Sequence, residues 1–214
     1  MSLQTLNKTI QGQTLIFTNQ RALYWQEQGS LVISDLHVGK TAYFRKHGIP
    51  VPSDLLHRDL ERLGELIQHF EAQELIVVGD FLHAGKNTDF EIFEVWRRLH
   101  PHLKITLIKG NHDVKNADFL SDLDLNLLED ALIRPPFTFI HIPTTIPHQF
   151  SISGHLHPGV VVQLEKRKSV RLPCFRVSND QLILPAFSAF TGLDTKGCEG
   201  FDCVGFTDEV IFEV

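Results

Sequence analysis

The chain has 214 residues, 43% hydrophobic and 21% charged, a mixture that excludes a disordered, fibrous or collagen-like protein and suffices for one buried core. Twenty basic against 26 acidic side chains give a net charge of −6, which argues against a generally basic nucleic-acid binder. No apolar run approaches the roughly 18 residues of a membrane span, and the N-terminus lacks the pattern of a signal peptide, so cytoplasmic residence and reduced Cys174, Cys198 and Cys203 are expected.

Apolar runs of strand length come first at 14–17, 22–25 and 31–34. Residues 53–70 then carry Leu55, Leu56, Leu60, Leu63, Leu66, Ile67 and Phe70 at helical spacing behind Ser53 as N-cap. A strand at 75–78 follows, and a second helix over 89–100, with Phe90, Phe93, Trp96 and Leu99 on one face, stops before Pro101. Further strand runs stand at 105–108, 137–140, 150–153, 160–164, 174–177, 182–184 and 210–214. Alternating strands and helices followed by strands alone predict a sheet-centred α/β sandwich with helices outside. With no repeat or Gly/Ser linker to mark a boundary, residues 1–214 read as a single domain.

Metal-ligand residue types stand just past several strand ends. Asp35-Leu36-His37 follows the run at 31–34, with spacing that lets Asp35 and His37 face the same side. Gly79-Asp80 ends the run at 75–78, and Gly110-Asn111-His112-Asp113 the one at 105–108. His141 and Gly154-His155-Leu156-His157 end two more. Each fragment alone reads as a cap or turn. Five in one topological position, drawn from Asp, Asn and His, predict one crevice holding divalent metal. The oxygen and imidazole set suits Mn²⁺, with Fe²⁺ or Zn²⁺ also compatible. Cys198 and Cys203 have no second pair with which to close a thiolate zinc site.

In this order the five blocks resemble the calcineurin-like metallophosphoesterase superfamily. Residues 34–40 and 44–52, Gly154 to Pro158, Leu172 to Phe175, Leu184 to Phe187 and Phe190-Thr191-Gly192 resemble one branch of it more narrowly. That branch is the bacterial DNA-ligase-associated damage-response endonuclease or phosphodiesterase family. The resemblance implies an α/β/β/α sandwich of mixed sheets and a metal-dependent hydrolase with two divalent ions, in which a water held between the metals attacks phosphorus. It places Asp35, His37 and His157 on the first ion, Asn111, His141 and His155 on the second, and Asp80 between them. His112 becomes a proton donor to the leaving group that binds no metal, and Asp113 the partner that orients a histidine.

The chain departs from the pattern at Ile142-Pro143 after His141, which leaves His148 as a substitute ligand of lower rank, and at His83, which has no assigned role. Basic residues near the first block (Lys40, Arg45, Lys46, His47) and in a hairpin tip (Lys166, Arg167, Lys168, Arg171) are candidates for holding a phosphate backbone. The function expected is a DNA-repair-associated phosphodiesterase or endonuclease, with DNA ligase and helicase as partners by resemblance. The alternatives are a nucleotide or nucleotide-sugar pyrophosphatase and a non-catalytic docking subunit of a repair complex.

Overall fold

The computed structural model describes residues 2–120, 123–164 and 168–214. A first sheet runs in the order β1 (Thr5–Ile10), β2 (Gln13–Thr18), β3 (Leu23–Trp25), β4 (Ser30–Ile33), β5 (Glu74–Val78), β6 (Lys104–Ile108), β7 (Asn126–Leu128). The pairs from β1 to β4 are antiparallel and those from β4 to β7 parallel, with Ser30 opposite Glu74 and Glu74 opposite Lys104. The second sheet is built from β8 (Ala131–Arg134), β9 (Phe137–Ile140), β10 (Phe150–Ser153), β11 (Gly159–Gln163), β12 (Ser169–Val177), β13 (Gln181–Ile183), β14 (Asp202–Phe206) and β15 (Ile211–Glu213). Its order is β15-β14-β12-β13-β10-β9-β8, and β11 pairs with β12.

Two apolar layers hold the sheets. Val32, Ile76, Val78 and Ile108 on one face of the first sheet pack with Phe137, Phe139, Ile152, Phe175 and Phe206 from the second. Replacing one such interior phenylalanine by alanine costs about 3–5 kcal/mol. The next residues along the same strands, Leu31, Ile33, Leu75, Val77, Ile105 and Leu107, point the other way, as a pleated strand requires. They are covered by Leu56, Leu60, Leu63 and Leu66 of α2 (Leu55–Phe70) and by Phe90, Phe93 and Trp96 of α3 (Thr88–Leu99). Strands buried on both faces explain the unbroken apolar runs in β4, β5 and β6.

The expected sandwich of two mixed sheets is present, with helices on the outside of the first. The outer face of the second sheet is covered differently. Cys174 and Cys203 point outward there and pack with Val160 of β11 in a small apolar cluster, and Arg176 donates hydrogen bonds to the carbonyls of Gly159 and Asp194. A hairpin and a loop take the place of a helix layer among the described residues.

Three local features differ from the sequence expectation. The helix expected from Ser53 starts at Leu55 with Asp54 as N-cap, and no side chain caps it. The second helix begins at Thr88, one residue earlier than expected. Asn87 is its N-cap, with Oδ1 accepting the backbone N–H of Asp89 and Phe90. A short helix, α1 (Lys40–Lys46), occupies a stretch read from sequence only as basic. No helix among the described residues is long and apolar enough to cross a membrane.

Candidate metal centre

β4, β5 and β6 run parallel, and so do β9 and β10, so the five blocks emerge at strand carboxyl ends and meet at one edge of the sandwich. The segments after β4 and β5 are joined by backbone hydrogen bonds: the N–H of Asp35 donates to the Gly79 carbonyl (3.0 Å), that of His37 to Asp80 (3.0 Å) and that of Val38 to Phe81 (2.7 Å). Phe187 N–H donates to the Ser34 carbonyl at 2.8 Å, which brings the Leu184 to Phe187 motif against the first block.

Asp35, His37, Asp80, His155 and His157 have φ of 54°, 54°, 48°, 69° and 49°. The left-handed region costs an L residue about 1 kcal/mol or more, least for residues such as Asp and His. Its concentration at adjoining positions marks a site whose geometry the rest of the fold maintains. Three glycines make the approach possible. A Cβ on Gly79 would stand 1.9 Å from His141 Nδ1, one on Gly110 2.3 Å from Asp80 Oδ1, and one on Gly154 2.7 Å from Asp35 Oδ2.

Two clusters result: Asp35, His37 and His157 offer ligand atoms within 4.8 Å of one another, as do Asp80, His141 and His155. In the first, His37 Nε2 and His157 Nε2 face each other at 3.4 Å, and His157 Nε2 lies 3.4 Å from Asp35 Oδ1. In the second, His155 Nδ1 stands 3.1 Å from His141 Nε2, which lies 3.5 Å from Asp80 Oδ1 and 3.1 Å from Asn111 Oδ1. Burial pushes the His37 imidazole down to about 2, with Lys40 adding to it against the pull of Asp35. Burial likewise lowers His155. Burial opposes the charge on Asp35, but His157, 3.4 Å from Oδ1, and the other surrounding histidines outweigh it and hold the carboxyl below its ordinary range.

Neutral rings beside ionised carboxylates are the state divalent metals require. Asp35 Oδ1 and His37 Nδ1 are buried without a hydrogen-bond partner, and imidazole nitrogens point at one another. A pair of divalent cations would satisfy this donor set, whose mixed carboxylate, amide and imidazole character is compatible with Mn²⁺, Fe²⁺ or Zn²⁺. His148 is exposed and lines a separate hollow with Gln11, Pro136 and Asn179.

The remaining candidates are placed as follows. His112 is in neither cluster; its ring stacks on His83 at 4.6 Å and 29° and lies 5.7 Å from His37, while its backbone N–H donates to Asp80 Oδ1 at 3.0 Å. Asp113, expected to orient a histidine, accepts instead from the backbone N–H groups of Phe81, Leu82 and Gly110 at 3.1, 2.7 and 2.9 Å. Its carboxylate therefore ties the second block to the third. Burial pushes it up to about 6 against those donors. The Arg45 guanidinium is engaged by the buried Asp89 at 3.2 Å and the Pro52 carbonyl at 3.3 Å, whereas Lys46 is exposed. Lys168 and Arg171 are exposed on the β11–β12 hairpin, where Arg171 pairs with Val161; Lys166 and Arg167 fall outside the described residues.

Two neighbours of the site, His83 without an assigned role and Lys40 named only within a basic stretch, stand closer to the first cluster than the sequence indicated. His83 lies 5.7 Å from His37, and burial, with help from His112 and Lys40, pushes it down to about 4. Lys40, directly after Gly39, feels both Asp35 and Asp80. The only signal available was proximity in sequence to Asp80 and His37.

The family model described as calcineurin-like phosphoesterase matches residues 30–182, a span that includes every residue of both clusters. The chain belongs to the calcineurin-like phosphoesterase family. Among solved structures of this kind, the nuclease MPE of Pseudomonas putida superposes with a TM-score of 0.83 at 28% identity, covering 99% of this chain and 100% of that one. Yfce, a phosphoesterase from E. coli, gives a TM-score of 0.44 at 16% identity over 85% of this chain and 90% of that chain. An 85-residue stretch is 31% identical to a probable cyclic nucleotide phosphodiesterase of Vesicomyosocius okutanii subsp. Calyptogena okutanii (strain HA); it covers 39% of this chain and 33% of that relative. The match thus spans about a third of that relative's length.

Proposed function

We propose that the protein is a two-metal phosphodiesterase that cleaves nucleic-acid backbones, with a role in DNA repair. The observation that carries this reading is the pair of clusters, Asp35-His37-His157 and Asp80-His141-His155, meeting at one edge of the sandwich. Two divalent ions held there, with Asn111 on the second and Asp80 between them, would neutralise phosphate oxygens and make water acidic enough to attack at neutral pH. Mn²⁺ is the preferred occupant in this proposal.

The chain's own groups do the rest. Neutral imidazoles and ionised carboxylates give a preformed donor set, fixed by the backbone ladder between the segments after β4 and β5. The His112 ring lies outside both clusters yet 5.7 Å from the His37 ring, a position from which it can hand a proton to the departing oxygen. Stacking on His83 holds that ring in place. Lys40, near enough to Asp35 and Asp80 to feel the charge of both, supplies positive charge to the side of the phosphate. Asp113 acts through the backbone by fixing the loops that carry Asp80 and Asn111.

The fold match to a nuclease over the whole chain supports nucleic acid as substrate, and the cyclic-nucleotide relative supports a small phosphodiester as the second reading. The test is a panel of single-stranded and nicked DNA, cyclic nucleotides and nucleotide sugars, assayed with Mn²⁺. Faster turnover of DNA supports the first reading, and faster turnover of a cyclic nucleotide or nucleotide sugar overturns it. Copurification with a DNA ligase or helicase would test the partners that the repair assignment brings with it.

A further inference from the structure

A run of rings leads from the first cluster to the surface. His83 lies 5.7 Å from His37, Tyr43 lies 5.7 Å from His83, and His47 packs on Tyr43 at 4.2 Å with a tilt of 39°. Tyr43 is 42% exposed, beside the half-buried rings of Phe44 and His83. Phe44, one residue on, touches His83 at 6.2 Å and Phe190 at 5.7 Å, and the Lys40 ammonium lies 5.9 Å from the centre of the Phe190 ring. All but His37, His83 and Phe190 belong to α1 or its C-cap.

This short helix is held from below. The buried Asp89 carboxylate accepts from Thr41 Oγ1 at 2.6 Å and Ala42 N–H at 2.9 Å through one oxygen, and from Arg45 at 3.2 Å through the other. Asn87 donates to the Gly39 carbonyl at 3.0 Å. His47 Nδ1 lies 2.8 Å from the Tyr43 carbonyl, which fixes its ring behind that of Tyr43. Tyr43 is therefore a rigid, open aromatic face presented beside the site, and a planar ligand placed there loses little by ordering the protein.

We propose that Tyr43, backed by His47, is the stacking platform for the nucleobase next to the phosphate being cleaved, with Lys40 facing that phosphate. The inference rests on the phosphodiesterase reading and adds to it a base-binding subsite. An aromatic face accepts any base, because every base has a π-face. Sequence preference is accordingly not expected from this contact.

The experiment compares thymidine 5′-(4-nitrophenyl phosphate) with methyl 4-nitrophenyl phosphate on the Mn²⁺-loaded full chain. The two esters share leaving group and charge and differ in the nucleoside. Tyr43→Ala should lower the ratio of kcat/KM for the thymidine ester over the methyl ester by about tenfold, mainly through KM. Tyr43→Phe, which keeps the face, should hold the ratio within about twofold. Lys40→Gln should raise KM for both esters by a similar factor, and an unchanged KM would remove Lys40 from the proposal. In chelator, without turnover, wild type should bind oligothymidylate more tightly than an abasic oligonucleotide of equal length, and Tyr43→Ala should erase the difference. A ratio unmoved by Tyr43→Ala, a Tyr43→Phe defect as large as that of alanine, or equal binding of the two oligonucleotides by wild type overturns the subsite alone. Failure of wild type to hydrolyse either ester overturns the phosphodiesterase reading and the subsite with it.

Discussion

Replacing Gly79 by alanine separates two costs that the fold joins at one position. Gly79 has φ +80°, where an added Cβ is strained by roughly 1–2 kcal/mol whatever surrounds it. The same Cβ would lie 1.9 Å from Nδ1 and 2.3 Å from Cγ of His141, whose ring is buried and belongs to the second cluster. The ring must retreat by about 1 Å or more, a displacement that can cost a positioned site about a hundredfold in rate. Gly12 is the control, because its φ is +74° but nothing stands within 4 Å of its Cβ. Both variants should lose about 2–8 °C of Tm from backbone strain, at roughly 2–4 °C per kcal/mol for a chain of this size. Gly79→Ala should in addition lose one of two bound metals and about a hundredfold in kcat/KM, read by elemental analysis and diester hydrolysis, while Gly12→Ala keeps both metals. Equal metal content in the two variants would refute the claim that Gly79 is glycine in order to seat His141.

Other variants probe the Glu74–Arg134 pair, the proposed role of His112 and the basic hairpin. Burial opposes ionisation of Glu74, but Arg134 at 2.6 and 3.2 Å, with Thr106 and Lys104, holds its carboxyl down to about 2. A carboxyl held below its ordinary value of 4.5 contributes stability that is fully present above pH 4.5 and lost as pH falls through 2, here about 2 kcal/mol after solvent screening of Arg134 and Lys104. Glu74→Gln should therefore lower Tm at pH 6 and flatten its acid dependence, and an unchanged Tm–pH curve would contradict this role for the pair. His112→Ala should retain metal and lose about 10²- to 10⁴-fold in kcat on an alkyl or DNA diester, with a much smaller loss on a 4-nitrophenyl diester; metal loss would make His112 a ligand. Neutralising Lys166, Arg167, Lys168 and Arg171 should weaken DNA binding and reduce its salt dependence more than it affects a small diester, and equal loss on both would assign the hairpin to folding.

The site was legible because strands buried on both faces read as unbroken apolar runs, so the change to Asp, Asn and His at the ends of β4, β5, β6, β9 and β10 stands out. The same rule hid other strands. β1, with its alternation of exposed and half-buried residues in Thr5–Ile10, carries little apolar signal, and β7 is only three residues long. α1 was missed for a tertiary reason: it has no apolar stripe, and it is positioned by Asp89 of α3, 43 or more residues away along the chain. With it went Tyr43, which in sequence is one aromatic among lysines and arginines. Asp113 shows a further limit. Its spacing from Asn111 announces a site residue, yet whether its carboxylate meets an imidazole or the N–H groups of Phe81, Leu82 and Gly110 depends on how two loops pack.

The central claim is that the two clusters hold metals that act together on a phosphodiester. Chelator-stripped protein titrated with Mn²⁺, with bound metal and the initial rate of bis-4-nitrophenyl phosphate hydrolysis measured on the same samples, tests it most directly. The account predicts no turnover in the stripped protein and a rate that rises to a plateau at two ions per chain, with Asp80→Asn reaching neither the plateau nor the stoichiometry. Full turnover in excess chelator, or saturation of the rate at a single ion, would contradict it.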